Sequence, residues 1–215
     1  MIKAVIFDMD GVIIDSEPKH IKFEQELFHS LGAAVNRKEH LRFIGTTSQY
    51  MWDCIKRKYK LEQTVDELVR LDRDKYFEFL INDDSLAPIS GVNELIAKLK
   101  KDNLKLAIAS SSPIEVIKYV ISKLGLAEYF DLVVTGDYVT RSKPYPDIFL
   151  YAAEKLSIEP INCLVIEDSE NGVNAAKNAD MKCLGFKNLN SGNQDLSRAD
   201  MIIENFNEFN NDILV

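Results

Sequence analysis

Ala4-Val5-Ile6-Phe7-Asp8-Met9-Asp10-Gly11-Val12 sets two carboxylates directly behind an unbroken apolar run. The apolar run reads as a buried strand, and Gly11 permits the chain to turn where the strand ends. Burying a charge is costly unless it is paired or bound to a metal, so two acids at a core strand's tip need a reason to be there. One reason is a nucleophile and a general acid beside a divalent cation. The other is an ordinary acidic strand-to-loop turn, since short motifs also match by accident.

Three further segments bear on that choice. Leu104-Lys105-Leu106-Ala107-Ile108-Ala109 is strand-like and runs into Ser110-Ser111-Ser112. Ser142-Lys143-Pro144-Tyr145-Pro146-Asp147 holds a lysine in a proline-bounded turn, and Cys163-Leu164-Val165-Ile166 ends in Glu167-Asp168-Ser169. Each group has a structural reading of its own. Ser110 can cap a helix, Lys143 can be a solvated turn lysine, and Glu167 or Asp168 can stabilise the first turn of a following helix. In an open parallel sheet, however, the ends of successive strands meet along one edge, where ligands bind. Coincidence of all these groups at strand ends favours one crevice holding Asp8, Asp10, Ser110, Lys143, Glu167 and Asp168.

The texture of the chain changes twice. From Glu17 to Leu80 the periodicity is helical, with Phe23, Leu27 and Leu31 in one series and Val65, Leu68, Leu71 and Tyr76 in another. After Pro88, strand and helix patterns alternate. Val92, Leu95, Ile96 and Leu99 mark one helix; Ile114, Ile117, Ile121 and Leu124 mark a second, with Ser112 expected as its N-cap and Pro113 at N1. Ile148, Ala152 and Leu156 mark a third. The strand-like runs are continuously apolar, as in parallel sheets covered on both faces. The predicted fold is α/β: a doubly wound parallel sheet, Rossmann-like, with a helical cap inserted after the first strand. The core spans 1–15 and 87–215, and the cap 16–86. A cap hinged at both crossings is expected to cover the crevice during chemistry, when water must be excluded.

Composition narrows the function. The 215 residues suit one domain with a sizeable insertion. A formal charge of −8 argues against nucleic acid or an anionic membrane as partner, but not against a phosphorylated metabolite met by a metal and a local lysine. Cys54, Cys163 and Cys183 lack CxxC spacing and read as reduced cysteines of a cytoplasmic protein. Met1-Ile2-Lys3-Ala4 enters the first strand at once, so no signal peptide is expected. No apolar stretch approaches the ~20 residues of a membrane span. A monomer or weak dimer is expected.

In these residues the chain resembles the haloacid dehalogenase superfamily, in its β-phosphoglucomutase-like branch of small phosphatases and phosphomutases. The resemblance is carried by Asp8-Met9-Asp10-Gly11-Val12, Asp15-Ser16-Glu17-Pro18, Ser110, Lys143-Pro144-Tyr145-Pro146-Asp147 and Glu167-Asp168-Ser169. It implies a two-step phosphoryl transfer with Mg²⁺ through a phospho-aspartate. Asp8 is then the nucleophile and Asp10 the acid and base. Ser110 donates to a phosphoryl oxygen, and Lys143 pairs with Asp8 and the phosphate. The implied metal ligands are the Asp8 carboxylate, the Asp10 backbone carbonyl and Asp168, with Glu167 acting directly or through water. Ser111, Ser112, Asn171 and Gly11 are expected to line or shape the phosphate pocket. His20 lies where mutase-like relatives also place a histidine, as a substrate-binding group or as a structural one.

Mutase relatives carry an arginine a few residues past a cap-loop glycine, whereas this chain reads Gly45-Thr46-Thr47-Ser48-Gln49. Hydroxyls and an amide do not replace a bidentate guanidinium. The expected function is therefore a Mg²⁺-dependent phosphatase of a small phosphorylated metabolite, a sugar phosphate, with a β-phosphoglucomutase-type mutase as the alternative. A non-catalytic binding module would have no cause to retain Asp8, Asp10 and Asp168 together.

Overall fold

The apolar run Ala4–Phe7 is wholly buried and forms the strand about which the core is built. A computed structural model describes residues 1–43 and 48–215. The chain divides into two compact units, one of Met1–Asp15 with Ala87–Val215 and one of Ser16–Leu86.

In chain order the elements are β1 (Ala4–Phe7), helices α1 (Glu17–Ser30), α2 (Arg37–His40), α3 (Ser48–Tyr59) and α4 (Val65–Ile81), then α5 (Val92–Lys101), β2 (Lys105–Ser110), α6 (Ile114–Lys123), β3 (Leu132–Thr135), α7 (Asp147–Leu156), β4 (Cys163–Glu167), α8 (Glu170–Asn178), β5 (Lys182–Phe186) and β6 (Met201–Ile203). The six strands form one parallel sheet in the order β3-β2-β1-β4-β5-β6. From β1 the chain winds outward to one side through β2 and β3, and to the other through β4, β5 and β6. The order therefore reverses beside β1, and the crevice outside the strands' carboxyl ends at such a point is where α/β sheets bind ligands.

Both faces of the sheet are covered, which explains the unalternating hydrophobicity. Ala4, Ile6, Ala107, Ala109, Cys163 and Val165 pack in one cluster with Ile148, Phe149 and Ala152 of α7 and Val173 and Ala176 of α8. The alternate residues Val5, Phe7, Leu106, Ile108, Leu164 and Ile166 point to the opposite face and are equally buried. Register sets the site. Phe7 lies opposite both Ile108 of β2 and Ile166 of β4, so Asp8, Ala109 and Glu167 leave the sheet level with one another.

Two features depart from expectation. The predicted strands stop at β4, whereas the sheet continues into β5, whose apolar run Gly185 breaks, and β6, which is only three residues long with Ile202 half exposed. In α6 the cap position belongs to Pro113, with no side-chain cap bond. Ser112 does not cap because its hydroxyl donates to Asp10 instead.

The second unit is helical. Trp52 is fully buried at its centre, with its ring 5.2 Å from that of Phe28 and its indole N–H donating to Asp72 at 3.0 Å. Helix α4 starts on a capping box, Thr64 and Glu67 each bonding the other's backbone N–H. Gly45, Thr46 and Thr47, on which the missing-arginine argument turns, lie outside the described residues, and Ser48 opens α3. Among the described residues, no helix is long and apolar enough to cross a membrane.

Candidate active site

Asp8 leaves the end of β1 with its backbone N–H bonded to Ile166 of β4 at 2.9 Å, which fixes where its carboxylate emerges. Lys143 reaches the same place from the loop before α7. Its ammonium donates to Asp8 Oδ1 and to Glu167 Oε1, each at 2.6 Å, and to the Ala109 carbonyl at 3.3 Å. One ammonium thus bridges the tips of three adjacent strands. It also lies 5.1 Å from the centre of the Phe149 ring, a cation–π contact in a buried setting.

Asp10 lies one turn further on, half buried. Its Oδ2 accepts from the Ser112 hydroxyl at 2.7 Å and from the buried Ser110 hydroxyl at 3.3 Å. Ser110 Oγ in turn accepts the Ser112 N–H at 3.0 Å, so the serine turn is braced from within. Ser111, between them, is exposed. Glu167 and Asp168 end β4. Glu167 Oε2 accepts from the Ser169 N–H and hydroxyl at 2.9 Å, while Ser169 caps α8 through the Gly172 N–H.

The electrostatics follow from crowding. Burial pushes the Asp8 carboxyl up to about 8; the Lys143 ammonium opposes the rise, while Glu167 and Asp10 add to it. Burial likewise raises Asp168 well above the usual carboxylate range, reinforced by Glu167 and Asp8. For Lys143 burial works against the charge, yet Asp8 and Glu167 hold the ammonium above the ordinary lysine value. With all three ionised, three buried carboxylates face one ammonium, an excess of negative charge of about the size that one divalent cation would neutralise.

The donor set fits such a cation. Asp8, Glu167 and Asp168 each present a ligand atom within 4.8 Å of the others, and all are hard oxygens, as Mg²⁺ requires. Two glycines make the cradle. A Cβ on Gly11, whose φ is +79°, would lie 1.9 Å from Asp168 Oδ2, and one on Gly172 would lie 1.8 Å from the Glu167 carboxylate. The carboxylates therefore sit where only glycine leaves room.

Over residues 5–186 the sequence matches the family model for haloacid dehalogenase-like hydrolases. The chain belongs to that family. It is an enzyme of the haloacid dehalogenase-like hydrolases, as the motifs predict. It is similar to the phosphorylated carbohydrates phosphatase of Thermotoga maritima, 32% identical, with 82% of this chain and 81% of that protein covered. It is also similar to the beta-phosphoglucomutase of Bacillus subtilis, 29% identical over 99% of this chain and 93% of that one. The crystal structure of CbbY from Rhodobacter sphaeroides in complex with phosphate superposes with a TM-score of 0.87 at 26% identity, covering 97% of this chain and 96% of that one.

A second cluster of metal-type ligands, His20, Glu24 and Asp72, lies in the helical unit of this haloacid dehalogenase-like chain. Its members already have partners. Glu24 meets His40 at 2.5 Å and His20 at 3.6 Å, and Asp72 accepts from Trp52. His20 stacks against Phe23 and lies 4.3 Å from the Tyr76 ring. Its observed surroundings are thus those of a residue packed within the helical unit, a different compact unit from that of Asp8.

Sequence reasoning missed Asn188, Asn190 and Ser191, which reach the Gly11 carbonyl, Asp15 and Asp168. Their only sequence signal is a run of small polar residues after β5, which reads equally as a turn.

The Gly172 cradle makes a specific expectation. Alanine in a helix normally stabilises by about 1 kcal/mol over glycine. Here the added methyl must displace Glu167, so Gly172→Ala should destabilise by roughly 1–3 kcal/mol and lower the thermal midpoint by several degrees. A raised midpoint in calorimetry would show that the Glu167 carboxylate does not rest on Gly172.

Proposed function

We propose that the chain is a Mg²⁺-dependent phosphatase that hydrolyses a small phosphorylated metabolite, a sugar phosphate, through an aspartyl phosphate on Asp8. The observation that carries this reading is the meeting of Asp8, Lys143 and Glu167 at 2.6 Å beside Asp168, with Asp10 held by two serine hydroxyls across the same turn.

The Asp8 carboxylate attacks phosphorus in line with the departing sugar oxygen, forming the acyl-phosphate bond as the ester P–O bond breaks. The Asp10 carboxyl gives its proton to that oxygen as it leaves. In the second step the Asp10 carboxylate takes a proton from water, whose oxygen attacks phosphorus and releases inorganic phosphate and free Asp8. Ser112 and Ser110 hold Asp10 through one oxygen, which keeps the carboxyl oriented for both transfers. Lys143 steadies the negative charge shared by Asp8 and the phosphoryl oxygens. Asp8, Asp168 and the Asp10 backbone carbonyl would hold Mg²⁺, with Glu167 acting directly or through water. When bound, the ion screens the anionic nucleophile from the anionic phosphate.

Similarity to a beta-phosphoglucomutase over nearly the whole chain supports a second reading, transfer of the phosphoryl group to another hydroxyl of a sugar phosphate. Lack of an arginine from Gly45 to Gln49 favours water as the acceptor. Free Cys54, Cys163 and Cys183 suit a cytoplasmic location, and we take the protein as a monomer or weak dimer.

The deciding experiment is a screen of phosphorylated sugars with Mg²⁺, including β-glucose 1-phosphate with a bisphosphate activator. Release of inorganic phosphate that stops in excess chelator and returns with Mg²⁺ is the expected result. Isomer formation without net phosphate would favour the mutase. Full turnover in chelator after prolonged dialysis would contradict the mechanism.

A further inference from the structure

We propose that the segment following β5, Asn188 to Ser191, is a positioning loop for the Asp168 carboxylate, with Ser191 acting on it directly and Asn188 through Gly11. The inference rests on the reading of Asp168 as a cation ligand.

Ser191 is buried, and its hydroxyl donates to Asp168 Oδ2. A donor fixed on one carboxylate oxygen sets the rotation of the group and so the direction in which Oδ1 is presented. Gly11 confines the same oxygen from another side, so close that no side chain fits between them. Gly11 is itself held by the loop, since its carbonyl accepts the Asn188 amide at 3.0 Å. The end of the turn is gripped in the same way. Asp15 Oδ2 accepts from Asn190 at 2.6 Å and Asp15 Oδ1 from Asn188 at 3.4 Å.

The loop is braced by hydrogen bonds of its own. The Asn188 side-chain carbonyl accepts the Asn190 N–H at 2.8 Å, and Gln194 donates to the Ser191 carbonyl at 2.9 Å. Gln194 Oε1 accepts the Glu170 N–H at 3.0 Å, tying the loop to the first turn of α8, just beyond Asp168. One short segment therefore binds the turn after β1 and the corner after β4, the two places from which the carboxylates of the site emerge. The parts match chemically: amide donors meet a carbonyl and a carboxylate, and a hydroxyl donor meets a carboxylate. A loop that only packed would leave cation affinity alone when one of its hydroxyls was removed.

Mn²⁺ binding, followed by the loss of its free-ion paramagnetic resonance signal as purified full-length protein is added, tests this without reference to turnover. Wild type should take up Mn²⁺, and Asp168→Asn should lose that uptake. Ser191→Ala should bind about tenfold more weakly, in the range typical of groups that orient metal ligands, and Ser191→Thr, which restores the hydroxyl, should return to within about twofold of wild type. Asn188→Asp, which sets an acceptor against the Gly11 carbonyl and the Asp15 carboxylate, should weaken binding in the same direction.

Wild-type affinity in Ser191→Ala, alongside loss in Asp168→Asn, overturns the positioning role and leaves the metal site standing. Should Ser191→Ala fail to fold, wild-type affinity in folded Asn188→Asp overturns it equally. Wild-type protein that takes up no Mn²⁺, or Asp168→Asn that takes it up fully, overturns the underlying reading of the site and the positioning role with it.

Discussion

Asp8→Asn should reduce turnover by roughly four orders of magnitude or more, as expected when a covalent nucleophile is removed. A neutral amide is a poor nucleophile and a weaker cation ligand. The substitution also removes one of the two carboxylates that Lys143 bridges, leaving the ammonium with Glu167 at 2.6 Å and the Ala109 carbonyl at 3.3 Å. The fold should survive, because the variant is isosteric and gives up one of three crowded, buried negative groups. Steady-state phosphate release and a thermal melt on the same preparation check both halves. An active Asp8→Asn enzyme would move the nucleophile elsewhere, and an unfolded one would make Asp8 structural.

Asp10→Asn should behave differently, although it lies only two residues away. Its backbone carbonyl is unchanged, and its side chain can still meet the Ser110 and Ser112 hydroxyls. The fold and substrate binding should therefore persist, while proton transfer is lost. General acid–base catalysis contributes about 10²–10⁴-fold, so hydrolysis of a sugar phosphate should fall by about that factor. With p-nitrophenyl phosphate, whose leaving group needs little protonation, the first step should be spared and the second still slowed. Equal losses in the first step for both substrates would argue against Asp10 as the proton donor, and wild-type rates in both steps would exclude it as donor and base alike.

Whether a feature is legible in the sequence depends on where its signal is stored. Asp8, Asp10, Ser110 and Glu167 follow short continuous apolar runs, so strand ends and polar groups can be read together, and parallel pairing then brings those ends to one edge. Lys143 is legible through its proline-bounded turn. The structure adds the contacts, with one ammonium reaching both Asp8 and Glu167. The destination of the Ser112 hydroxyl cannot be read, because Ser-Pro before a helical pattern signals a cap with equal force. β6 escapes because three residues carry too little periodicity. Ser191 and Asn188 escape for another reason. Their partners are Asp168 and Gly11, the latter 177 residues away in sequence for Asn188, and local patterns in a polar loop hold no record of long-range partners. Gly172 reads as a weak point in a helix until the Glu167 carboxylate is seen to occupy the space of its missing methyl.

Acid quenching during turnover of radiolabelled p-nitrophenyl phosphate, whose leaving group spares the first step, tests the central claim most directly, because it asks whether the phosphoryl group is ever bonded to the protein, and where. Label should be slight on wild-type protein, abundant on Asp10→Asn, whose second step is slowed, and absent from Asp8→Asn. Hydroxylamine should release it, as expected of an acyl phosphate. Covalent label on Asp8→Asn protein would contradict the assignment of the nucleophile.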